Sequence, residues 1–207
     1  MLEEPKLVLI ERGKGVSAIA QKLESEGVIT QPVLFKIAGR FGESLKAGEY
    51  QFPAHVSMAE AIRMMQEGEV FDRKVTIPEG YTSYQIVKLL NAREDLEGTI
   101  SENNIPEEGS LLPNTYHFVG GETPQDIIAR MQAAMTKTLD ELWEGRAANL
   151  PVKTKEEALI LASVIEKETG VPSERGRVAG VFVNRLKRGI ALQTDPTVIY
   201  AITKGKY

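Results

Sequence analysis

The feature that most constrains this chain is a series of helix-start signals spread along it. Ser57-Met58-Ala59-Glu60, Thr82-Ser83-Tyr84-Gln85 and Thr154-Lys155-Glu156-Glu157 each set a hydroxyl three residues ahead of an acid or amide. That spacing lets the hydroxyl take a first-turn backbone N–H while the later side chain reaches back, forming a capping box. Thr123-Pro124-Gln125-Asp126 combines a cap, a first-turn proline and a first-turn acid. Helices punctuated in this way are many and short. The pattern predicts them over 17–23 (closed by Gly27), over 31–38 with Pro32 in the first turn, and from Ser57 to about Glu67, stopped by Gly68. Further helices follow Thr82, run from Thr123 to about Trp143, and carry Ala158 to Thr169. Ser173 reads as the cap of another, Glu174 to about Arg188, and Asp195-Pro196 as the cap of a last short one.

Strand candidates are few: Leu7 to Ile10, the alternating stretch Gly48 to Pro53, and Arg73 to Ile77. Asn91 to Asn104 predicts no definite element, and Gly109 to Phe118 reads as irregular. Ile10–Gly13–Ile19–Leu23 and Ile77–Gly80–Ile86–Leu90 share their spacings, an internal echo of one strand–turn–helix unit. The first third is therefore mixed and the last third almost purely helical, an α+β chain. Its expected division is 1–72, a small strand/helix module; 73–150, an intermediate segment; and 151–207, a helical segment.

Composition excludes several functions. With 25 Lys+Arg against 29 Asp+Glu the net charge is −4, which argues against a non-specific nucleic-acid binder. There is no cysteine, so thiolate zinc sites, disulfide scaffolds and cysteine nucleophiles are out. The two histidines, His55 and His117, have no third ligand type nearby and read as surface or packing residues, so no metal is expected. No P-loop, dinucleotide fingerprint or Gly-x-Ser-x-Gly elbow occurs. No apolar run reaches the roughly 18 residues a membrane helix needs, and Met1 to Lys6 lacks the apolar core of a signal peptide. Both ends read as the edges of a fragment.

One residue looks wrong for its place. On the helix after Thr154, Leu161, Val164 and Ile165 share one side, and Glu168 falls in the middle of it; Glu166 points the other way. A carboxylate on an apolar side must be paired or protonated, and the negative end of the helix dipole opposes its ionisation. Those are the conditions for a general acid near neutral pH. Periodicity leaves a second reading open, in which the helix frays and Glu168 turns to solvent.

Leu161-Ala162-Ser163-Val164-Ile165-Glu166-Lys167-Glu168-Thr169 resembles the endolytic murein transglycosylase (YceG-like) family. The likeness continues through Ser173-Glu174-Arg175, Val181 to Leu186 and Leu192 to Tyr200. Upstream, Leu45 to Tyr50 and Glu108 to Tyr116 also match the family's pattern. The resemblance implies a small LysM-like module followed by a lysozyme-like catalytic part, truncated at its C-terminus. It implies a lytic transglycosylase that cuts the MurNAc–GlcNAc β-1,4 bond inside peptidoglycan glycan strands, leaves 1,6-anhydroMurNAc ends and limits strand length. Glu168 is then the catalytic acid, and no cofactor is required. Gln193, Thr194, Asp195, Asn114, Tyr116 and Asn184 are the candidate substrate-binding residues, with Glu108 a weaker one.

Bland readings stand beside these: Asp195 as a helix cap, Tyr116 as a packed tyrosine with a satisfied hydroxyl, Glu166 paired with Lys167 or Arg175. Expected partners are glycan strands and peptidoglycan synthases. The expected location is the wall-facing or periplasmic side of the plasma membrane, held by an N-terminal anchor outside this chain. The competing reading is a non-catalytic peptidoglycan-binding or synthase-associated module.

Overall fold

Two short strands, β1 (Lys6–Ile10) and β2 (Gly48–Phe52), pair antiparallel with Val8 opposite Tyr50 and Ile10 opposite Gly48. The structure is a computed structural model describing residues 2–41 and 43–206. Alternation along the strands sends Val8, Ile10, Tyr50 and Phe52 to one buried face, where the Tyr50 and Phe52 rings stack with centroids 5.9 Å apart. Between the strands lie α1 (Val16–Ser25), which buries Ile19, Ala20 and Leu23, and α2 (Pro32–Ala38), which buries Phe35. After β2, α3 (Met58–Glu67) adds Ala61, Ile62, Met64 and Met65 to the same core. Ser57 caps α3 by accepting the Glu60 N–H, and Gly68 ends it in the left-handed conformation.

The chain divides into two compact units. The first takes the described residues up to Lys74 together with His117–Gly120; the second takes Val75–Tyr116 and the described residues from Gly121 onward. The strands β3 (Arg73–Thr76) and β4 (Thr115–Phe118) pair as a second small sheet, and the division passes through both. Within the first unit, residues 117–120 meet β2 through Glu49. Glu49 is buried, with its side chain 7% exposed. Arg73 meets it with two nitrogens, Nε at 2.7 Å and Nη2 at 3.1 Å, and the Gly120 N–H donates to it at 3.1 Å.

The second unit continues with α4 (Ser83–Asn91), a 3-10 turn at Glu102–Asn104, α5 (Pro124–Glu144), α6 (Lys155–Glu168), α7 (Pro172–Lys187) and α8 (Asp195–Thr203). Small antiparallel pairing at the start and helices at the end make this an α+β fold. The internal echo is structural: Gly13 and Gly80 both adopt positive φ, at 80° and 74°. Ile10, Ile19 and Leu23 are all buried, as are Ile77, Ile86 and Leu90.

Several cap expectations need correction. Thr82–Gln85 forms the full reciprocal box, and so does Thr123–Asp126. At α6, Thr154 accepts the Glu157 N–H, but the Glu157 carboxylate takes the N–H of Lys153. Ser173 does not cap α7. Val171 is its N-cap and Pro172 its first residue, where a missing N–H costs nothing. Asp195 likewise lies inside α8, and Thr194 is the N-cap position without using its side chain as a cap. The stretch 91–104 is ordered by Asn91, whose amide both donates to the Ile100 carbonyl and accepts its N–H, each at 2.9 Å. The irregular stretch before Phe118 ends in β4.

Replacing Glu49 by Ala leaves Arg73 and the Gly120 N–H without their shared acceptor. Breaking a buried pair from one side costs about 3 kcal/mol or more. Urea titration of Glu49→Ala is expected to show a loss of that size, whereas Glu67, exposed and paired with Arg63 one turn earlier on α3, can be changed to Ala with a loss within about 0.5 kcal/mol.

Candidate active site

The geometry begins with where α6 stops. Thr169 leaves the helix in an extended conformation, and its N–H still reaches the Ile165 carbonyl at 3.2 Å. Its side chain is buried; the hydroxyl donates to Glu174 Oε2 at 3.1 Å and accepts the Val171 N–H at 3.1 Å. Glu168 is therefore the last helical residue, followed immediately by a fastened turn.

Across from it lies the segment between α7 and α8. Arg185 donates through Nη1 to the carbonyls of Ala191 and Leu192. Gln193 then takes φ 51°, a left-handed conformation uncommon for a residue with a Cβ. Thr194, 5% exposed, comes next, and its hydroxyl donates to Glu168 Oε2 at 2.7 Å. Because that hydroxyl is committed to the carboxylate, α8 begins without a side-chain cap. The Thr194 carbonyl accepts the Thr197 hydroxyl at 2.7 Å, which closes the first turn of α8.

The expectation of a dry Glu168 is not met. Val164 is buried and Leu161 and Ile165 are half-buried, but Glu168 is exposed. The helix ends at this residue, so no further turn covers its side chain. The grooves beside α1 (lined by Ile10, Glu11, Lys14 and Lys22) and beside α4 (lined by Tyr84, Lys88, Ile100 and Glu102) are both formed without it. The carboxyl whose ionisation burial opposes is Glu108. It is half-buried and pushed above the usual carboxylate range by desolvation, an effect reduced by the Ser83 N–H and the charge of Lys167. Both its oxygens take the Ser83 N–H at 3.1 Å.

Glu166 pairs with Arg175 at 3.0 Å, and Arg175 also reaches Glu79 at 2.9 Å. Of the other candidates, Gln193 and Asp195 flank Thr194 and are both exposed. Asn184 is exposed on α7. Asn114 is exposed, and its Oδ1 accepts the Thr115 N–H at 2.7 Å. Tyr116 is half-buried, its hydroxyl donates to the Leu112 carbonyl at 2.7 Å, and burial pushes that hydroxyl above its ordinary range. The structure thus joins Glu168 to the 193–195 segment, while Asn114 and Tyr116 are engaged locally. Glu79 and Ser83 gave no sign in the sequence, since their partners lie 96 and 25 residues away. Among the described residues no group of His, Asp or Glu is arranged to hold a metal ion.

Glu168 is thus an exposed carboxyl held through one oxygen by the Thr194 hydroxyl, two residues beyond a glutamate paired with Arg175. The model of the YceG-like family matches residues 8–207, and the chain belongs to that family. It is similar to the endolytic murein transglycosylase of Streptococcus pneumoniae serotype 2, 28% identical over 238 residues, covering 93% of this chain and 42% of the relative. To the enzyme of the same name from Bacillus subtilis it is 28% identical over 228 residues, covering 95% of this chain and 63% of the relative. A solved YceG-like protein from Listeria monocytogenes is 29% identical with a TM-score of 0.45, covering 96% of this chain and 76% of that one. The chain thus spans 42% and 63% of the lengths of the two curated relatives.

Arg185→Met frees the Ala191 and Leu192 carbonyls. Loss of about 1.4 kcal/mol of local stability corresponds to about tenfold more frequent opening. Limited proteolysis is expected to nick 189–194 faster by about that factor, with far-ultraviolet circular dichroism unchanged.

Proposed function

We propose that this chain carries the catalytic acid of an endolytic murein transglycosylase, and that the acid is Glu168. The observation that supports it most is the 2.7 Å hydrogen bond from Thr194 to Glu168 Oε2. It ties together two segments, 161–169 and 192–200, that both carry the resemblance to that family. Family membership and the names of the relatives supply the substrate class, peptidoglycan glycan strands.

The chemistry follows from one carboxyl and the substrate's own hydroxyl. Glycosidases commonly use two carboxylates about the scissile bond. Here Glu168, protonated, donates to the oxygen bridging MurNAc and GlcNAc as that bond breaks. The resulting carboxylate then takes the proton of the C6 hydroxyl on the same MurNAc. O6 closes onto C1, leaving a 1,6-anhydro end, and the proton returns to Glu168 with no water consumed. Thr194 donates to Oε2, so Oε1 is the oxygen left to hold and deliver the proton. In the free protein Glu168 is exposed; a glycan strand laid across it removes water and favours the protonated form. Gln193 and Asp195, exposed beside Thr194, supply amide and carboxylate groups for sugar hydroxyls. Asn184, Asn114 and Tyr116 are assigned to more distant parts of the same strand.

The first unit is read as a LysM-like module, supported by its β–α–α–β order with the outer two strands paired. The helical end of the second unit is read as lysozyme-like. No helix among the described residues is long and apolar enough to cross a membrane. A location at the wall-facing side of the plasma membrane, with peptidoglycan synthases as neighbours, belongs to the same reading.

The test uses purified sacculi and chromatography of the released muropeptides. Glu168→Gln is expected to fold normally and to release no anhydro-muropeptides, a loss of about 10²- to 10⁴-fold. Thr194→Val is expected to slow release about tenfold, the loss of one hydrogen bond to a charged group. Glu166→Gln keeps a measurable rate. Wild-type release by Glu168→Gln removes the assignment.

A further inference from the structure

Arg175 stands in the first turn of α7, and one of its nitrogens serves two carboxylates. Nη2 donates to Glu79 Oε2 at 2.9 Å and lies 3.0 Å and 3.3 Å from the two oxygens of Glu166. Its Nε is buried and has no hydrogen-bond partner among the described residues. A buried donor without an acceptor is unfavourable. The side chain is nonetheless held in this pose, which indicates that the two carboxylates dictate its position.

Three segments meet at this guanidinium. Glu79 lies in the turn between β3 and α4, Glu166 in the last turn of α6, and Arg175 on α7. Gly80 gives the turn its left-handed backbone, φ 74°, and a Cβ there would sit at ordinary contact distance, 3.7 Å, from Glu166 Cγ. Helix ends fray when nothing fastens them. The end of α6 is fastened on both sides of Glu168. Two residues earlier, Glu166 is held by Arg175; one residue later, Thr169 is held by Glu174. Glu174 and Arg175 are consecutive, so a single turn of α7 grips α6 before and after residue 168.

We propose that Arg175 is a positioning residue for the transglycosylase reaction, with Glu79 as its second anchor. It fixes the last turn of α6 so that Glu168 meets both the Thr194 hydroxyl and the bridging oxygen of the glycan. It also keeps Glu166 paired, so the acid two residues before Glu168 does not compete for the proton-donor role. The proposal rests on the reading of Glu168 as the acid. Arg175 touches no reacting atom; it acts through the direction of a neighbouring side chain, so its removal affects turnover more than binding.

The experiment measures kcat and KM on soluble uncrosslinked glycan strands, together with thermal unfolding, for Arg175→Met, Arg175→Lys, Glu79→Gln/Glu166→Gln and the combination of that pair with Arg175→Met. Arg175→Met is expected to lower kcat about 10- to 100-fold through misplacement of the acid. KM should stay within about twofold and the melting midpoint within about 3 °C. Arg175→Lys recovers part of kcat, because an ammonium keeps the charge without the fork. In the Glu79→Gln/Glu166→Gln background, Arg175→Met adds little, since its partners are already gone.

Wild-type kcat in Arg175→Met, a kcat loss matched by an equal loss of folded protein, or full additivity with the double change each overturns the proposal. Glu168→Gln, run in parallel, keeps the two readings apart. If that variant is active, the acid assignment itself is wrong. If it is inactive while Arg175→Met is unaffected, only the positioning role fails.

Discussion

Glu49 is a carboxylate withdrawn from water, and the first unit is organised around satisfying it. Its two oxygens are met by the Nε and Nη2 of Arg73, and the Gly120 N–H adds a third donor. A side chain of this polarity with so little exposure is costly unless its acceptors are filled. The donors come from 24 and 71 residues away. The stretch His117–Gly120, part of the same compact unit as β1 and β2, supplies one of them.

The second unit handles its carboxylates differently, and the differences sort them by role. Glu166 and Glu79 share one guanidinium. Glu108 is half-buried against a backbone N–H, and desolvation favours its protonated form. Glu168 is exposed and oriented by a neutral hydroxyl. A neutral donor orients a carboxyl without adding a cation that would hold it permanently ionised. Of these four, Glu168 is the exposed one whose side-chain partner is a neutral hydroxyl.

Much of the architecture was legible because it rests on local chemistry. The caps at Ser57, Thr82, Thr123 and Thr154 act within three residues of themselves, so the starts of α3, α4, α5 and α6 followed from spacing alone. The strand–turn–helix echo was visible for the same reason, and its two glycines share a left-handed backbone. The errors lie where a side chain had a distant option. Thr194 was open to any nearby donor or acceptor, and its hydroxyl went to Glu168, 26 residues earlier, which left Asp195 inside α8.

The sequence by itself determined which segments become helix or strand, that no thiolate chemistry is available, and that the 161–200 block carries the resemblance to the family. Those properties depend on residue identity and near-neighbour spacing. Only the tertiary structure decided how each acid is partnered and how wet it is. A helical wheel gives the direction of Glu168 but not whether another element covers it, and α6 ends before anything does. Partnership and solvation are set by groups that the fold brings together from 9, 26 or 96 residues apart, and no local pattern encodes them.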